Sequence, residues 1–317
     1  MSATTDSPHP LLDRLNKDGF VVIPSLLTPE AVESMRAATT EASGASSTLT
    51  PEAVESMRAA TTEVDAQARA GNWPYIRTLP KQFPPWNVAD LDKGIWGVQH
   101  LMHPKLPNSA LFASTYFSPR TLEVVTELLQ CSADDLVMEL YNLLVRPDHP
   151  FALRWHRDDI APTATAEEET ERLAKPAWHA QWNMALYDDA SLIVVPGTHA
   201  RPRTDAERTA DEYEDNMPGQ LIVQLKAGDA VFYNNNILHR GVYDAGKARA
   251  TLHGSMGHVK GGRDRARNVL QHGCGEWVDQ VDFSAMEGKD REVAEGMRKR
   301  LVELGRVSGD IGYSQVD

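Results

Sequence analysis

Short apolar runs, separated by turn-forming residues, follow one another through most of the chain. Alternating or continuous apolar residues predict strands at residues 19–24, 136–145, 151–155, 177–187, 191–196, 219–226, 229–234 and 249–258. Turn sequences such as Ala227-Gly228 stand between the runs. Many short strands with tight turns are typical of antiparallel barrels. The pattern therefore predicts a mainly β protein with flanking helices, folded as a double-stranded β-helix (a jelly-roll or cupin-like barrel) with its core at about residues 135–260.

Helical sequences flank the predicted barrel. Thr28, Pro29 and Glu30 supply an N-cap, a proline at the first helical position and an early negative charge, which predicts a helix to about Glu41. Residues 286–304 have the pattern of a charged amphipathic helix, which could pad the barrel or a contact between two copies of the chain. We expect residues 1–317 to form a single domain.

One stretch of the N-terminal region occurs twice. Leu27–Glu41 reappears without change as Leu49–Glu63, at an offset of 22 residues. A single repetition does not make a solenoid, which needs several units to build a core. We interpret the segment 27–63 as a tandem duplication in which one copy packs on the barrel and the other is extra surface helix or loop. The sequence does not say which copy packs.

Candidate metal ligands occur in the middle of the chain. His156 and Asp158 form the only His-x-Asp pair, at the end of an apolar run. Residues two apart in a strand face the same side, so an imidazole nitrogen and a carboxylate oxygen could share one cation. The third ligand could be His239 or His199. His239 is favoured, because His199 follows a Pro-Gly turn, where a histidine more often bonds to backbone. Two histidines and one carboxylate are the ligand set of non-heme Fe(II) oxygenases.

Two residues downstream suit a carboxylate ligand. Arg249 lies ten residues beyond His239 in a predicted strand, and Thr251 would face the same way. A guanidinium fork and a hydroxyl can hold a carboxylate, and a 2-oxoacid cosubstrate needs such an anchor. Asn142, on an earlier predicted strand, could also donate to the cosubstrate or could make a cross-strand structural hydrogen bond.

Four ordered blocks resemble a known family. Residues 155–159, 192–199 and 227–233, and His239 followed by Arg249, resemble in order and approximate spacing the phytanoyl-CoA dioxygenase-like Fe(II)/2-oxoglutarate oxygenases. Residues 17–24 resemble the N-terminal strand of that family. The resemblance covers about residues 135–260 and has the specificity of several motifs rather than one.

The resemblance implies an activity and roles for individual residues. His156, Asp158 and His239 would bind iron, Arg249 would bind the tail carboxylate of 2-oxoglutarate, and Trp182 would line the cosubstrate pocket. The cofactors would be Fe(II) and 2-oxoglutarate with O2 as cosubstrate, and succinate and CO2 would be released. Halogenating relatives have a small residue where this chain has Asp158. Hydroxylation of a small metabolite, or a related desaturation, epoxidation or cyclisation, is therefore implied.

The segment 72–106 is rich in Trp, Pro and His and precedes the metal-binding strands. Trp86, His100 and His103 are candidate substrate-binding residues, because aromatic and imidazole rings suit a planar or carboxylated molecule. The alternatives are that these rings fill the core, or that the two histidines hold a second metal. The acidic insertion at residues 160–176 is expected to be a solvated lid or loop.

Composition limits the partners and the compartment. A net charge of −13 argues against binding to nucleic acid or to an anionic membrane, so we expect a small-molecule partner. Cys131 and Cys274 lack metal or redox spacing, which predicts reduced thiols in a cytoplasmic protein, with a peroxisomal location less favoured.

Two other classes of protein stay open. One is a cupin-like metal protein with non-redox, isomerase-type activity. The other is a non-catalytic binding module on the same scaffold.

Overall fold

The computed structural model describes residues 7–27, 51–270 and 273–309, and this part of the chain forms two antiparallel sheets with helices around them. The strands are β1 (Phe20–Ile23), β2 (Ile76–Thr78), β3 (Ile95–Val98), β4 (Leu136–Val145), β5 (Phe151–Ala152), β6 (His179–Ala185), β7 (Leu192–Val195), β8 (Leu221–Ile222), β9 (Ala230–Tyr233), β10 (Leu238–Tyr243) and β11 (Ala250–His258). The α-helices are α1 (Pro10–Asp18), α2 (Pro51–Arg69), α3 (Ser109–Tyr116), α4 (Pro119–Leu129), α5 (Ala166–Leu173), α6 (Asp205–Thr209), α7 (Gly262–Leu270) and α8 (Gly288–Ser308).

The larger sheet has seven strands in the order β1-β9-β6-β11-β4-β3-β2, and the smaller has four in the order β5-β10-β7-β8. All nine strand pairings are antiparallel. The prediction of a mainly β protein with flanking helices is confirmed, although the two sheets do not close into one continuous barrel. Three strands, β2, β3 and β10, were not predicted, and β5 and β8 are much shorter than the apolar runs that predicted them.

The larger sheet is covered on both faces. Nine of the ten residues of β4 are buried, and so are all seven of β6, as expected for strands that lie between two layers. Helix α8 packs against β4 on the outer side and buries Ala294, Met297 and Leu301 at helical spacing. The other face of the sheet is turned towards the smaller sheet, and the pocket described below lies between them.

The second copy of the duplicated segment packs on the sheets. Its helix, α2, buries Met57, Ala60, Val64 and Ala68, which recur every three or four residues and form one apolar stripe. The helix predicted to end near Glu41 belongs to the first copy and lies outside the described residues. Of that copy, the structure describes Leu27 alone. The structure therefore assigns a packing role to the second copy.

The acidic insertion is exposed to solvent over most of its length, as expected, but it is helical and anchored to the fold at one residue. It contains α5, whose capping box joins Thr165 to Glu168, and Glu169 of this helix is completely buried. One carboxylate oxygen of Glu169 accepts a hydrogen bond from Arg203 Nε at 2.6 Å and the other accepts one from Arg208. The expectation of a loop is corrected at Glu169, because arginines distant in sequence pair with this one carboxylate and fix the helix in place.

None of the helices in the described ranges combines the length and the apolar character that a bilayer crossing requires. Cys131 and Cys274 are both free thiols, as predicted.

Removing one copy of the duplicated segment should cost little stability. Leu27 donates its backbone N–H to the Gly228 carbonyl at 3.3 Å, and the Val54 side chain lies beside the same glycine. The two ends of the extra segment are therefore close together. Because the two copies are identical, deletion of residues 42–63 gives the same sequence as deletion of residues 28–49. In the shortened chain Leu27 is followed by Thr50 and then by the first residue of α2. A thermal melt of the shortened protein should match that of the full chain within a few degrees, because α2 and all the packing described for it are retained. A drop of many degrees would show that both copies are packed.

Loss of the Glu169 carboxylate should lower the free energy of unfolding substantially. Glu169→Ala strands the guanidinium groups that face it, and breaking a buried ion pair costs about 3–5 kcal/mol. Urea denaturation of Glu169→Ala and of the matched control Glu171→Ala measures this cost. Glu171 is on the same helix but its side chain is 78% exposed, so its loss should change the free energy of unfolding by less than about 0.5 kcal/mol. Equal stability of the two variants would contradict the structural role given to Glu169.

Candidate metal centre and adjoining pocket

The three predicted metal ligands come together at the end of the smaller sheet. His156 and Asp158 lie just beyond β5, and His239 is the second residue of β10. His156 donates its backbone N–H to the His239 carbonyl at 3.0 Å, and His239 donates back to the His156 carbonyl at 3.1 Å. This reciprocal pair holds the two imidazoles side by side, with ring centroids 4.3 Å apart. His156 thus reaches His239 of β10 through an isolated bridge that lies beyond the short strand β5.

The ligand atoms are spaced as a metal site requires. Asp158 Oδ1 lies 3.5 Å from His156 Nε2 and 3.6 Å from His239 Nε2, and the three ligand atoms all lie within 4.8 Å of one another. Metal–ligand bonds of about 2.0–2.2 Å place two ligands of one ion roughly 3–4 Å apart. Two imidazole nitrogens and one carboxylate on one side leave the opposite side open for other ligands.

Both histidines are oriented by their own backbone. His156 Nδ1 lies 2.8 Å from the Arg154 carbonyl, and His239 Nδ1 lies 2.8 Å from the Ile237 carbonyl. Because a carbonyl can only accept, each Nδ1 carries the proton and donates it, which leaves each Nε2 with a lone pair directed at the site. A hydrogen bond of this kind fixes the tautomer that a metal ligand needs.

Charge in the site suits a cation. Burial and the nearby His156 lower the pKa of His239 to about 4, so this imidazole is neutral at pH 7. Burial by itself would raise the pKa of Asp158, but the charges that His239 and His156 can carry outweigh burial and hold it below its usual value. Gln181 Nε2 donates to Asp158 Oδ2 at 3.0 Å and leaves Oδ1 facing the two histidines. The donor set of two imidazole nitrogens and one carboxylate fits Fe(II).

His199, the rival third ligand, lies elsewhere. Its Nε2 is 3.0 Å from the Asn16 carbonyl, and its ring packs against Gly19 at the junction of α1 and β1. A side chain on Gly19 would collide with the imidazole, and Gly19 also has a φ of +82°, which favours glycine. His199 thus fixes a corner of the fold.

A pocket of about 180 Å³ adjoins the three ligands. Aromatic residues, among them Phe83, Trp86 and Trp96, line one side, and polar side chains of the larger sheet line the other. Gln181, Asn183 and His253 belong to this polar side, and His253 Nδ1 lies 2.8 Å from Asn183 Oδ1. The pocket therefore places apolar and hydrogen-bonding walls next to the candidate metal centre.

Arg249 and Thr251 face a carboxylate, but one that belongs to the chain. Arg249 Nε donates to Asp189 Oδ2 at 3.1 Å, and the Thr251 hydroxyl donates to the same oxygen at 3.0 Å. Arg249 also lines the pocket, and its guanidinium lies 4.2 Å from the ring centroid of Tyr243. Arg249 and Thr251 share one face, as the sequence predicts, but no sequence pattern indicated Asp189 as their partner.

Two predicted cosubstrate residues lie away from the pocket. Trp182 is completely buried on the opposite face of β6, against Tyr116, and it occupies the space over Gly254. The expectation that Trp182 lines the pocket is corrected: strand alternation directs its neighbours Gln181 and Asn183 to the pocket instead. Asn142 accepts a hydrogen bond from the His100 backbone N–H at 3.0 Å, which is the cross-strand structural role.

The candidate substrate residues divide in the same way. Trp86 lines the pocket. His100 and His103 are buried, and both pack against Tyr75 and Trp277, so they fill the core rather than face the pocket.

Sequence patterns did not predict most polar residues of the pocket region, of which three matter most to its chemistry: Arg77, Gln181 and Asp189. Gln181 could have been found from its position one residue before Trp182 in an alternating strand. The other two gave no local signal, because their neighbours come from distant strands.

A mainly antiparallel β fold with two histidines and one carboxylate at one end defines a β-sheet metal protein, and comparison with known proteins gives its family. A family model described as Phytanoyl-CoA dioxygenase (PhyH) matches residues 15–242. This range is more than half of the chain, so the chain belongs to the phytanoyl-CoA dioxygenase (PhyH) family. Comparison with curated protein sequences gives no match.

Solved structures with a similar fold are distant in sequence. EctD from S. alaskensis, solved with 2-oxoglutarate and 5-hydroxyectoine, has a TM-score of 0.53 and 16% identity, over 82% of this chain and 80% of that chain. AviO1 from Streptomyces viridochromogenes Tue57 has a TM-score of 0.48 and 17% identity, over 78% of this chain and 93% of that chain. At 16% identity the likeness to EctD concerns the fold alone, and together with the family match it confirms the predicted double-stranded β-helix.

Loss of any one of the three ligands should weaken metal binding sharply. His156→Ala, Asp158→Ala and His239→Ala each remove one donor atom from a three-donor set, so Fe(II) affinity measured anaerobically should fall by about 10-fold or more. The matched control is His199→Ala, which removes a histidine that bonds to backbone away from the site. Fe(II) affinity lost in His199→Ala and kept in His239→Ala would show that the ligand assignment is wrong.

Proposed function

We propose that this protein is a non-heme Fe(II)- and 2-oxoglutarate-dependent dioxygenase that oxidises a small-molecule metabolite. One observation carries the proposal: two imidazole Nε2 atoms and one carboxylate oxygen converge within 4.8 Å beside a pocket that also contains Arg249. Membership of a dioxygenase family supports the same chemistry. Fe(II) and 2-oxoglutarate, when bound there, supply the means of using O2 to oxidise a substrate with release of succinate and CO2.

The chain would contribute position and electrostatics. His156, Asp158 and His239 would hold Fe(II) on one side, and the orientation of both imidazoles is set before metal arrives. Gln181 would keep one oxygen of Asp158 directed at the metal. The aromatic side of the pocket would exclude water from the substrate. Hydroxylation, or a desaturation, epoxidation or cyclisation of the same kind, is the reaction we propose.

Arg249 would anchor the far carboxylate of 2-oxoglutarate. Its Nε and the Thr251 hydroxyl are committed to Asp189, and its Nη1 lies 3.4 Å from the Val145 carbonyl, so the cosubstrate would bind mainly to Nη2 of the guanidinium. Asp189 is itself buried, and its pKa is held below the usual value, against the effect of burial, by the charge of Arg249 and by hydrogen bonds from Ser191 and Thr251. Asp189 would thus fix the orientation of Arg249, with Thr251 acting through Asp189 rather than on the cosubstrate.

The direct test is an anaerobic titration of the Fe(II) protein with 2-oxoglutarate. Chelation of the 2-oxoacid to iron produces a weak visible charge-transfer absorption, so a saturable band is expected. Absence of the band, with Fe(II) shown to be bound, would remove the cosubstrate from the proposal. A cupin-like metal protein with non-redox activity would then be the better description.

Substitutions of Arg249 should change the requirement for 2-oxoglutarate in a graded way. Arg249→Lys keeps the charge but loses the fork, and Arg249→Ala loses both, so the half-saturating 2-oxoglutarate concentration should rise in that order. Succinate formation at saturating Fe(II) measures the dependence. Arg291→Ala, at an exposed arginine on α8, is the control and should behave as the parent protein. Unchanged dependence in Arg249→Ala would contradict the anchor.

A further inference from the structure

Arg77, on β2, is a buried cation that lines the pocket and makes no direct ion pair among the described residues, although the Asp158 carboxylate of the metal site acts on it from a longer distance. Its side chain lies beside the candidate metal centre, and the residue is only 8% exposed. Its Nε has no hydrogen-bond partner, and across residues 7–27, 51–270 and 273–309 no carboxylate oxygen lies within 4.0 Å of its guanidinium. Burial of a charge is unfavourable unless a partner compensates it, so an unpaired buried guanidinium needs an explanation.

The other arginines of the pocket wall are paired. Arg265 donates from Nε to Glu139 at 2.6 Å, and Arg249 donates from Nε to Asp189 at 3.1 Å. The fold therefore provides a carboxylate to each of these two buried guanidinium groups. Among the arginines that line the pocket, Arg77 is the exception.

Neighbouring residues hold Arg77 in place. Its guanidinium lies 4.9 Å from the ring centroid of Trp96 and 5.2 Å from that of Trp86, within cation–π range. Gly97, opposite Arg77 on β3, leaves room for the arginine stem, since a Cβ on Gly97 would lie 2.9 Å from Arg77 Cδ. Burial lowers the pKa of Arg77 to about 10, which still leaves it charged at neutral pH. The site is therefore a fixed positive charge between two indole rings.

We propose that Arg77 binds a carboxylate of the substrate, and that the substrate is a small carboxylic acid with a flat, apolar body. The inference rests on the proposed function, in which both charged ends of 2-oxoglutarate already have partners: iron holds the 2-oxoacid end and Arg249 holds the far carboxylate. A second carboxylate in the pocket would then belong to the substrate. The indole rings and Phe83 provide the apolar surface for the remainder of that molecule.

Benzoate is a suitable probe because it combines a carboxylate with a flat apolar ring, and benzamide is its uncharged match. Binding is followed by intrinsic tryptophan fluorescence, to which Trp86 and Trp96 beside Arg77 contribute among the seven tryptophans of the chain. The protein carries Fe(II) and 2-oxoglutarate and is kept under anaerobic conditions. Saturable binding of benzoate, and at least about 10-fold weaker binding of benzamide, is expected from one charge-assisted hydrogen-bond pair. Arg77→Met should weaken benzoate binding by a similar factor, and Arg77→Lys should weaken it less. Arg58→Met, at an arginine that stacks on Tyr187 outside the pocket, should bind benzoate as the parent protein does.

A second arm assigns the carboxylate to the substrate or to the cosubstrate. The charge-transfer titration with 2-oxoglutarate is repeated on Arg77→Met and Arg249→Met. We expect Arg249→Met to raise the apparent Kd for 2-oxoglutarate and Arg77→Met to leave it within about 3-fold of the parent value. A large rise in Arg77→Met would assign Arg77 to the cosubstrate and overturn the inference. A missing band in the parent protein would count against the proposed function instead, and the benzoate titration would still report on Arg77.

The thermal stability of the ligand-free variant separates binding from structure. A buried guanidinium that pairs with a ligand destabilises the ligand-free protein, because its charge is then uncompensated. Arg77→Met should therefore melt at the same temperature as the parent or higher. A melting temperature lower by many degrees would show that Arg77 is a structural residue. Failure of the parent protein to distinguish benzoate from benzamide would likewise overturn the inference.

Discussion

The candidate metal centre depends on one pair of backbone hydrogen bonds, those between His156 and His239. The first residue follows β5 and the second lies in β10, so the pair joins chain segments that are far apart in sequence. Since each histidine uses both its N–H and its carbonyl, the two side chains must emerge side by side. Asp158 then needs only the spacing of two residues to meet them. Every other feature of the centre, from the Gln181 contact to the pocket, is arranged around this pair.

The residue between the two upstream ligands shows how that pair is held. Arg157 points away from the metal side and is almost fully buried. It donates to the Thr198 carbonyl at 2.8 Å and to the Asn236 and Arg201 carbonyls, and its Nε lies 3.5 Å from a carboxylate oxygen of Glu169. The alternation of side chains thus gives His156 and Asp158 to the pocket and Arg157 to the interior. The insertion that carries Glu169 contributes to the metal site because it helps to hold the ligand-bearing segment.

Sequence patterns were informative where metal-binding or charged residues stand at a characteristic spacing within a regular apolar pattern. The apolar runs predicted most strands, and the His-x-Asp spacing with a later His-to-Arg spacing predicted four residues that the structure brings to one pocket. The failures have two physical causes. Trp182 was assigned to the pocket by resemblance, and a shift of one residue along a strand reverses the face. Glu169 lies in an acidic stretch that is typical of solvent-exposed sequence, and Arg77 lies in a short unpredicted strand. Glu169 differs from a surface charge through its distant arginine partners, and Arg77 differs through burial without a direct ion pair in the described part of the chain. Neither property is visible in the local sequence.

Each ligand histidine donates from Nδ1 to a carbonyl two residues earlier, and this affects which residues around the metal can be substituted. Many metal-binding histidines are oriented by a carboxylate from another part of the chain, so a change there disturbs the metal. Here the orientation of His156 and His239 is set within three consecutive residues of each segment. The walls of the pocket can therefore be altered without moving the imidazoles. Mutation of wall residues other than Gln181, which holds Asp158, can therefore admit new substrates while both imidazoles keep their orientation.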